Sequence, residues 1–119
     1  MDKENIVEVV KNDLPAILKG DGKKLVDDAE KLGELVGKAK REGGTEMTTS
    51  QIRNIFGEAK KMDFDKYKIE LLRPKLAYTA GRHPTQVGPL QEVLDEAIKA
   101  IDGDKAKFER FKDFFEAIV

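Results

Sequence analysis

The chain has 119 residues, with 22 basic and 23 acidic side chains, a net charge of −1 and no cysteine. That length supports one hydrophobic core, and the missing thiols exclude a disulfide framework, a thiol nucleophile and a thiolate metal site. No stretch approaches the roughly 18 apolar residues of a membrane span, and Met1-Asp2-Lys3-Glu4 lacks the basic and apolar regions of a signal peptide, so the cytoplasm is the expected compartment.

Helical periodicity recurs in every segment, and strand alternation in none. Ile6, Val9, Val10 and Leu14 form an opening stripe, which Pro15 interrupts as a kink or as the start of a short second helix. Gly20-Asp21-Gly22 is a break. Leu25, Ala29, Leu32, Val36 and Ala39 then make one apolar face of a helix from about Lys23 to Glu42, with Asp27, Lys31, Glu34, Lys38 and Arg41 opposite. Gly43-Gly44 ends it. Thr48-Thr49-Ser50-Gln51 reads as a capping box, followed by an apolar face of Ile52, Ile55, Phe56, Ala59 and Met62.

A further helical segment runs from about Asp65 to Ala80, with Ile69, Leu72 and Leu76 on one face. Pro74 predicts a kink or break there, and Gly81 a C-terminal cap. Residues 82–88 read as a loop, and Pro89 as the first turn of a helix patterned by Leu90, Val93, Leu94, Ala97, Ile98 and Ile101. Asp104 caps the last helix, whose Phe108, Phe111, Phe115 and Ile118 fall on one stripe. Phe114 points about 100° away from Phe115, either as a partner contact or as a widening of the buried face. The expectation is an all-α protein: a compact bundle of five or six helices forming one domain over residues 1–119.

Catalytic signals are scarce. The glycines do not form a phosphate-binding loop. The single histidine, His83, lies in a Pro-containing loop without an evident nucleophile or orienting partner. Asp27, Asp28 and Glu30 diverge around a helix, so they read as a solvated face and not as metal ligands. No catalytic residue, metal or cofactor is expected, and the chain reads as a binding protein rather than an enzyme.

The basic residues are more informative. Residues 47–86 carry eight basic and four acidic side chains, a net of +4, between a net of −2 over 1–46 (nine basic, eleven acidic) and −3 over 87–119 (five basic, eight acidic). Lys68, Lys75 and Arg82 recur every seven residues, nearly two helical turns, which aligns them on one helix. Arg53 and Lys60 share that spacing on the helix before, Lys61 and Lys66 flank the intervening turn, and Arg73 completes the array. Spaced cations of this kind displace counterions from a phosphate backbone. Tyr67 and Tyr78 lie among them, either as stacking platforms for bases or as half-buried core residues. A solvated, merely uneven charge distribution accounts for the cations equally well.

Three strings carry a resemblance: Thr48-Thr49-Ser50-Gln51-Ile52-Arg53, then Leu71-Leu72-Arg73-Pro74-Lys75-Leu76-Ala77-Tyr78-Thr79-Ala80-Gly81-Arg82, then Phe114-Phe115-Glu116-Ala117-Ile118-Val119. In this order they resemble the small subunit of the type III-A CRISPR effector, the Csm complex, from Met47 onward. The resemblance implies a non-catalytic helical subunit that stacks in copies along the guide RNA–target RNA duplex. It would contribute basic side chains to the RNA and surfaces to neighbouring Csm subunits, with self-association when alone. By position, the family's basic motif falls on Arg53, Arg73, Lys75 and Arg82; helical geometry adds Lys60, Lys61 and Lys68. Two other readings compete. One is a purely structural adaptor, with Phe114 among its contacts. The other is a helix-turn-helix DNA binder, which Asp63 and Asp65 disfavour by repelling phosphate where base-reading groups would lie.

Overall fold

The computed structural model describes residues 3–41, 46–82 and 84–119, and side chains over 5–36, 50–82 and 87–119. The Gly43-Gly44 stop, the Thr48 hydroxyl, Ala39 and His83 therefore lie outside the described residues. Seven helical segments follow in order: α1 (Lys3–Leu18), α2 (Gly22–Arg41), α3 (Glu46–Lys61), α4 (Lys66–Glu70), α5 (Leu72–Arg82), α6 (Pro84–Ile101) and α7 (Lys105–Ile118). Six are substantial, and α4 is a single turn of five residues. Among the described residues there is no strand, and no helix is long and apolar enough to cross a membrane.

The local chemistry sets most boundaries. Asp21 caps α2, its carboxylate accepting from the Lys24 amide at 3.1 Å. Asp65 does the same for α4 through Lys68, and Asp104 for α7 through Ala106 and Lys107. These side chains satisfy amide donors that a helix leaves unpaired at its start. Gly20 closes the α1–α2 turn at φ +112°, a conformation that L side chains rarely adopt.

Four boundaries differ from expectation. α1 runs through Pro15 without a second helix starting there. α3 begins at Glu46, two residues before the proposed cap. The break near Pro74 falls at Leu71, whose amide folds back onto the Tyr67 and Lys68 carbonyls. Pro74 then occupies the third position of α5, where its missing N–H removes no intrahelical bond. Finally, the expected loop over 82–88 is largely helix: Pro84 opens α6, its fixed φ suiting a first helical position, and Val87 is wholly buried. Gly81 accordingly lies inside α5 rather than capping it.

Helices α1, α2, α6 and α7 form the body, and each packs against the other three. Helix α5 lies on α6, and α3 bridges α5 and α7, so α3, α4 and α5 make an arm along one side of this body. The expected faces of α3, α5, α6 and α7 are in the core. The α1 stripe is rotated from its expected position: Val7, Val10, Leu14, Ile17 and Leu18 are buried, while Ile6 and Val9 lie at its margin. Helix α7 supplies four fully buried phenylalanines, with Phe111 6.0 Å from Phe115 and Phe56 of α3 5.3 Å from Phe115, between ring centroids. Phe114 is 0% exposed. It is neither a subunit contact nor a docking residue, because α7 has neighbours on several sides at once.

Asp28 also departs from the solvated-face reading, being only 2% exposed. It stands three residues after Leu25 and four before Leu32, on the edge of the apolar stripe of α2. Burial, and then the neighbouring Asp13 carboxyl of α1, push its pKa from 3.8 up to about 7, against the opposing pull of Lys31. The folded chain thus keeps a proton that the unfolded chain releases between these two values. Stability from this group falls as pH rises through that window and levels off above it. Asp28→Asn should flatten this dependence, raising the thermal midpoint more at pH 8 than at pH 5. Parallel melting curves at the two pH values check this, and an equal shift at both would contradict it.

Candidate nucleic-acid interface

The cations of the middle segment lie on the arm, but on more than one side of it. Lys75 and Arg82 align on α5, with Tyr78 between them. Arg82 donates to the Tyr78 hydroxyl at 3.3 Å, and its guanidinium lies 5.8 Å from the ring centre. Tyr78 and Tyr67 are 66% and 75% exposed, which excludes the half-buried core reading for both. Arg73, two residues from Lys75, is rotated by about 200° on the same helix and faces α6. Lys68 belongs to α4, so the break at Leu71 interrupts the proposed line of three.

On α3, Arg53 and Lys60 lie on the flank away from α5; Lys60 approaches Glu116 of α7 at 4.0 Å and the Phe56 ring at 5.9 Å. Lys61, at the end of α3, is exposed. Arg53, Lys61 and Lys68 have no side-chain ion pair among the described residues. Lys66 lies across Gly103, where an added Cβ would come within 2.5 Å of its stem.

Carboxylates answer several of these charges. Arg73 donates to Asp95 at 2.7 Å and to Glu70 at 3.1 Å, while Lys99 stands 3.4 Å from the other Asp95 oxygen. Burial pushes the Asp95 carboxyl up, but hydrogen bonding and charge from Arg73, with help from Lys99, outweigh it and hold the group below its ordinary value. The same bonds, that to Asp95 first, raise Arg73 above its own. Arg73 is thereby a tie between α5 and α6. Its carboxylate partners replace the carbonyl-capping role that its place beside Pro74 suggests. Lys75 is paired across the α3–α5 boundary with Glu58 at 2.6 Å.

Between α3 and α5 runs an open groove of about 430 Å³. Gln51, Asn54 and Glu58 line it from α3, and Pro74, Lys75 and Tyr78 from α5. The periodicity of α3 implied this face, since 51, 54 and 58 are spaced by three and four, but the uncharged pair Gln51 and Asn54 carries no signal without the facing helix. Among the described residues, no three His, Asp or Glu side chains are grouped to hold a metal ion.

Comparison with known proteins yields one finding. A family model described as Csm2 Type III-A matches residues 19–119, which leaves out all of α1 and covers every later helix. No curated protein and no solved structure matches.

The Arg73 ties generate a test of their own. Arg73→Met should lower the thermal midpoint, because it leaves Asp95 half-buried with only Lys99, whereas Arg53→Met should leave it within experimental error. In a double-mutant cycle, Arg73→Met and Asp95→Asn together should cost clearly less than the sum of the two. Additive losses would show that the pair is not coupled.

Proposed function

The chain belongs to the Csm2 Type III-A family, and from that membership we propose that it is a non-catalytic small subunit of the type III-A CRISPR effector, holding guide RNA–target RNA by its phosphates. The observation that carries the reading is the outer strip of α5, where Lys75 and Arg82 stand two turns apart on the arm that lies along one side of the body. Cations on a rigid helix meet a regular phosphate backbone without needing to read base edges. Arg53, Lys60, Lys61 and Lys68 are margin contacts in this reading, on the other flank and at the ends of the arm. Arg73 contributes by keeping α5 in place. Packing against other Csm subunits, further copies included, belongs to the same proposal. The exposed Val26 and Leu71 offer apolar area for it, a role Phe114 cannot fill.

The adaptor reading has one observation in its favour: Lys60, Arg73 and Lys75 already face carboxylates of the same chain. Salt dependence separates the two readings, because an adaptor shows no salt-sensitive RNA binding. Lys75→Glu with Arg82→Glu should weaken RNA binding regardless of sequence. It should also lower the slope of log affinity against log salt by about one per lost phosphate contact, with an unchanged helical spectrum. Glu58→Gln should act in the opposite direction. It releases Lys75 from an exposed pair worth at most about 1 kcal/mol, so affinity should rise by no more than about fivefold. Unchanged affinity and slope in the charge-reversed protein would refute the proposed face.

A further inference from the structure

The groove between α3 and α5 has features that phosphate contact leaves unused. It is large enough for a small planar group, at the lower end of the volumes of ligand sites. Ile55 and Pro74 supply an apolar surface, and Tyr78 an exposed ring at the margin. The Arg82 guanidinium lies against that ring and leaves the rest of it open to solvent. The side-chain oxygen of Gln51 is sealed from solvent and has no hydrogen-bond partner among the described residues. An acceptor left in that state keeps its desolvation cost without a bond to offset it. The last torsion of a glutamine is broad and twofold, and Gln51 lines the groove beside Asn54. A ligand donor there would satisfy what the free protein leaves unpaired.

A flat π-system with hydrogen-bonding edges, attached to an anionic backbone, matches this combination. The ring would lie on Tyr78 and the apolar wall, its edge would meet the Gln51 and Asn54 amides, and its phosphates would fall near Lys75 and Arg82. We propose that the α3–α5 groove accepts one unstacked nucleobase of the bound RNA. This rests on the RNA-binding reading above and adds to it a contact that depends on the base itself.

The test compares two probes of equal charge on the full chain: a 20-nucleotide single-stranded RNA and a 20-unit strand of abasic spacers. Wild-type protein should prefer the RNA. Tyr78→Ala should weaken RNA binding by about 5- to 150-fold, the range for losing one base–aromatic stack, with little effect on the abasic strand. Tyr78→Phe should retain the preference, and Gln51→Ala should reduce it. The exposed position of Tyr78 keeps its variants folded, and an unchanged melting curve verifies this for them and for Gln51→Ala. The Lys75→Glu, Arg82→Glu protein should lose affinity for both probes, so failure of the phosphate reading is seen separately. Equal losses on the two strands in Tyr78→Ala would overturn the base contact while leaving the phosphate reading standing. Binding of neither probe by wild-type protein would overturn both. If Tyr78→Ala instead expelled the subunit from the RNA-free complex, the groove would belong to a neighbouring protein and the proposal would be wrong.

Discussion

Four fully buried phenylalanines on one fourteen-residue helix constrain everything around them. Phe108, Phe111 and Phe115 make a single stripe, but Phe114 turns the apolar surface of α7 well beyond one face. A helix with so wide a buried surface needs neighbours on several sides, and α1, α2, α6 and α3 supply them. Because α1, α2 and α6 also pack on one another, the body closes without α5, which is left to lie on the outside of α6. The arm is anchored to α7 by the Phe56–Phe115 contact at one end and to α6 by the Arg73 ties. The position of Lys75, Tyr78 and Arg82 at the surface therefore follows from how the aromatic helix is wrapped.

This wrapping also explains which features were legible in the chain. A single helix advertises its main apolar stripe, and those of α3, α5, α6 and α7 were readable from spacing alone, as were the Asp104 cap and the Gly20–Gly22 turn. What spacing does not carry is the number of neighbours a helix will have. Phe114 and Asp28 each stand at the edge of a stripe, where a second neighbour decides between water and core. The α1 stripe holds Val10 and Leu14 as its spacing predicts, but its edge differs for a similar reason, since Ile6 and Val9 are as apolar as the Val7 and Ile17 that the body covers. The prolines misled in opposite ways. Pro74 predicts an interruption at itself, yet it follows one at Leu71, and Pro84 starts a helix where its surroundings predict a loop.

The candidate site shows the same limit in electrostatic form. Counting charges along residues 47–86 gives a net of +4, but folding brings Asp95 and Glu116 from the acidic C-terminal third against Arg73 and Lys60. Part of the apparent excess is answered internally, and among the described residues it is concentrated instead on Arg53, Lys61, Lys66, Lys68 and Arg82. The exposure of both tyrosines was one of two open alternatives, and periodicity had no means of choosing. The pairing of Gln51 with Tyr78 across two helices had no signature in either helix taken separately.

The turn at Gly20 bears on how this chain comes into being. Arg110 of α7 donates to the Leu18 carbonyl at 3.2 Å, a contact spanning 92 positions, where a cation suits the negative end of α1. Helix α1 leaves the ribosome before α6 and α7, two of the three helices it packs on. At roughly 5–20 residues per second, Val7, Val10, Leu14, Ile17 and Leu18 wait several seconds with much of their final surroundings unmade. The nascent chain thus passes through an interval in which a sticky N-terminal helix is available to other molecules.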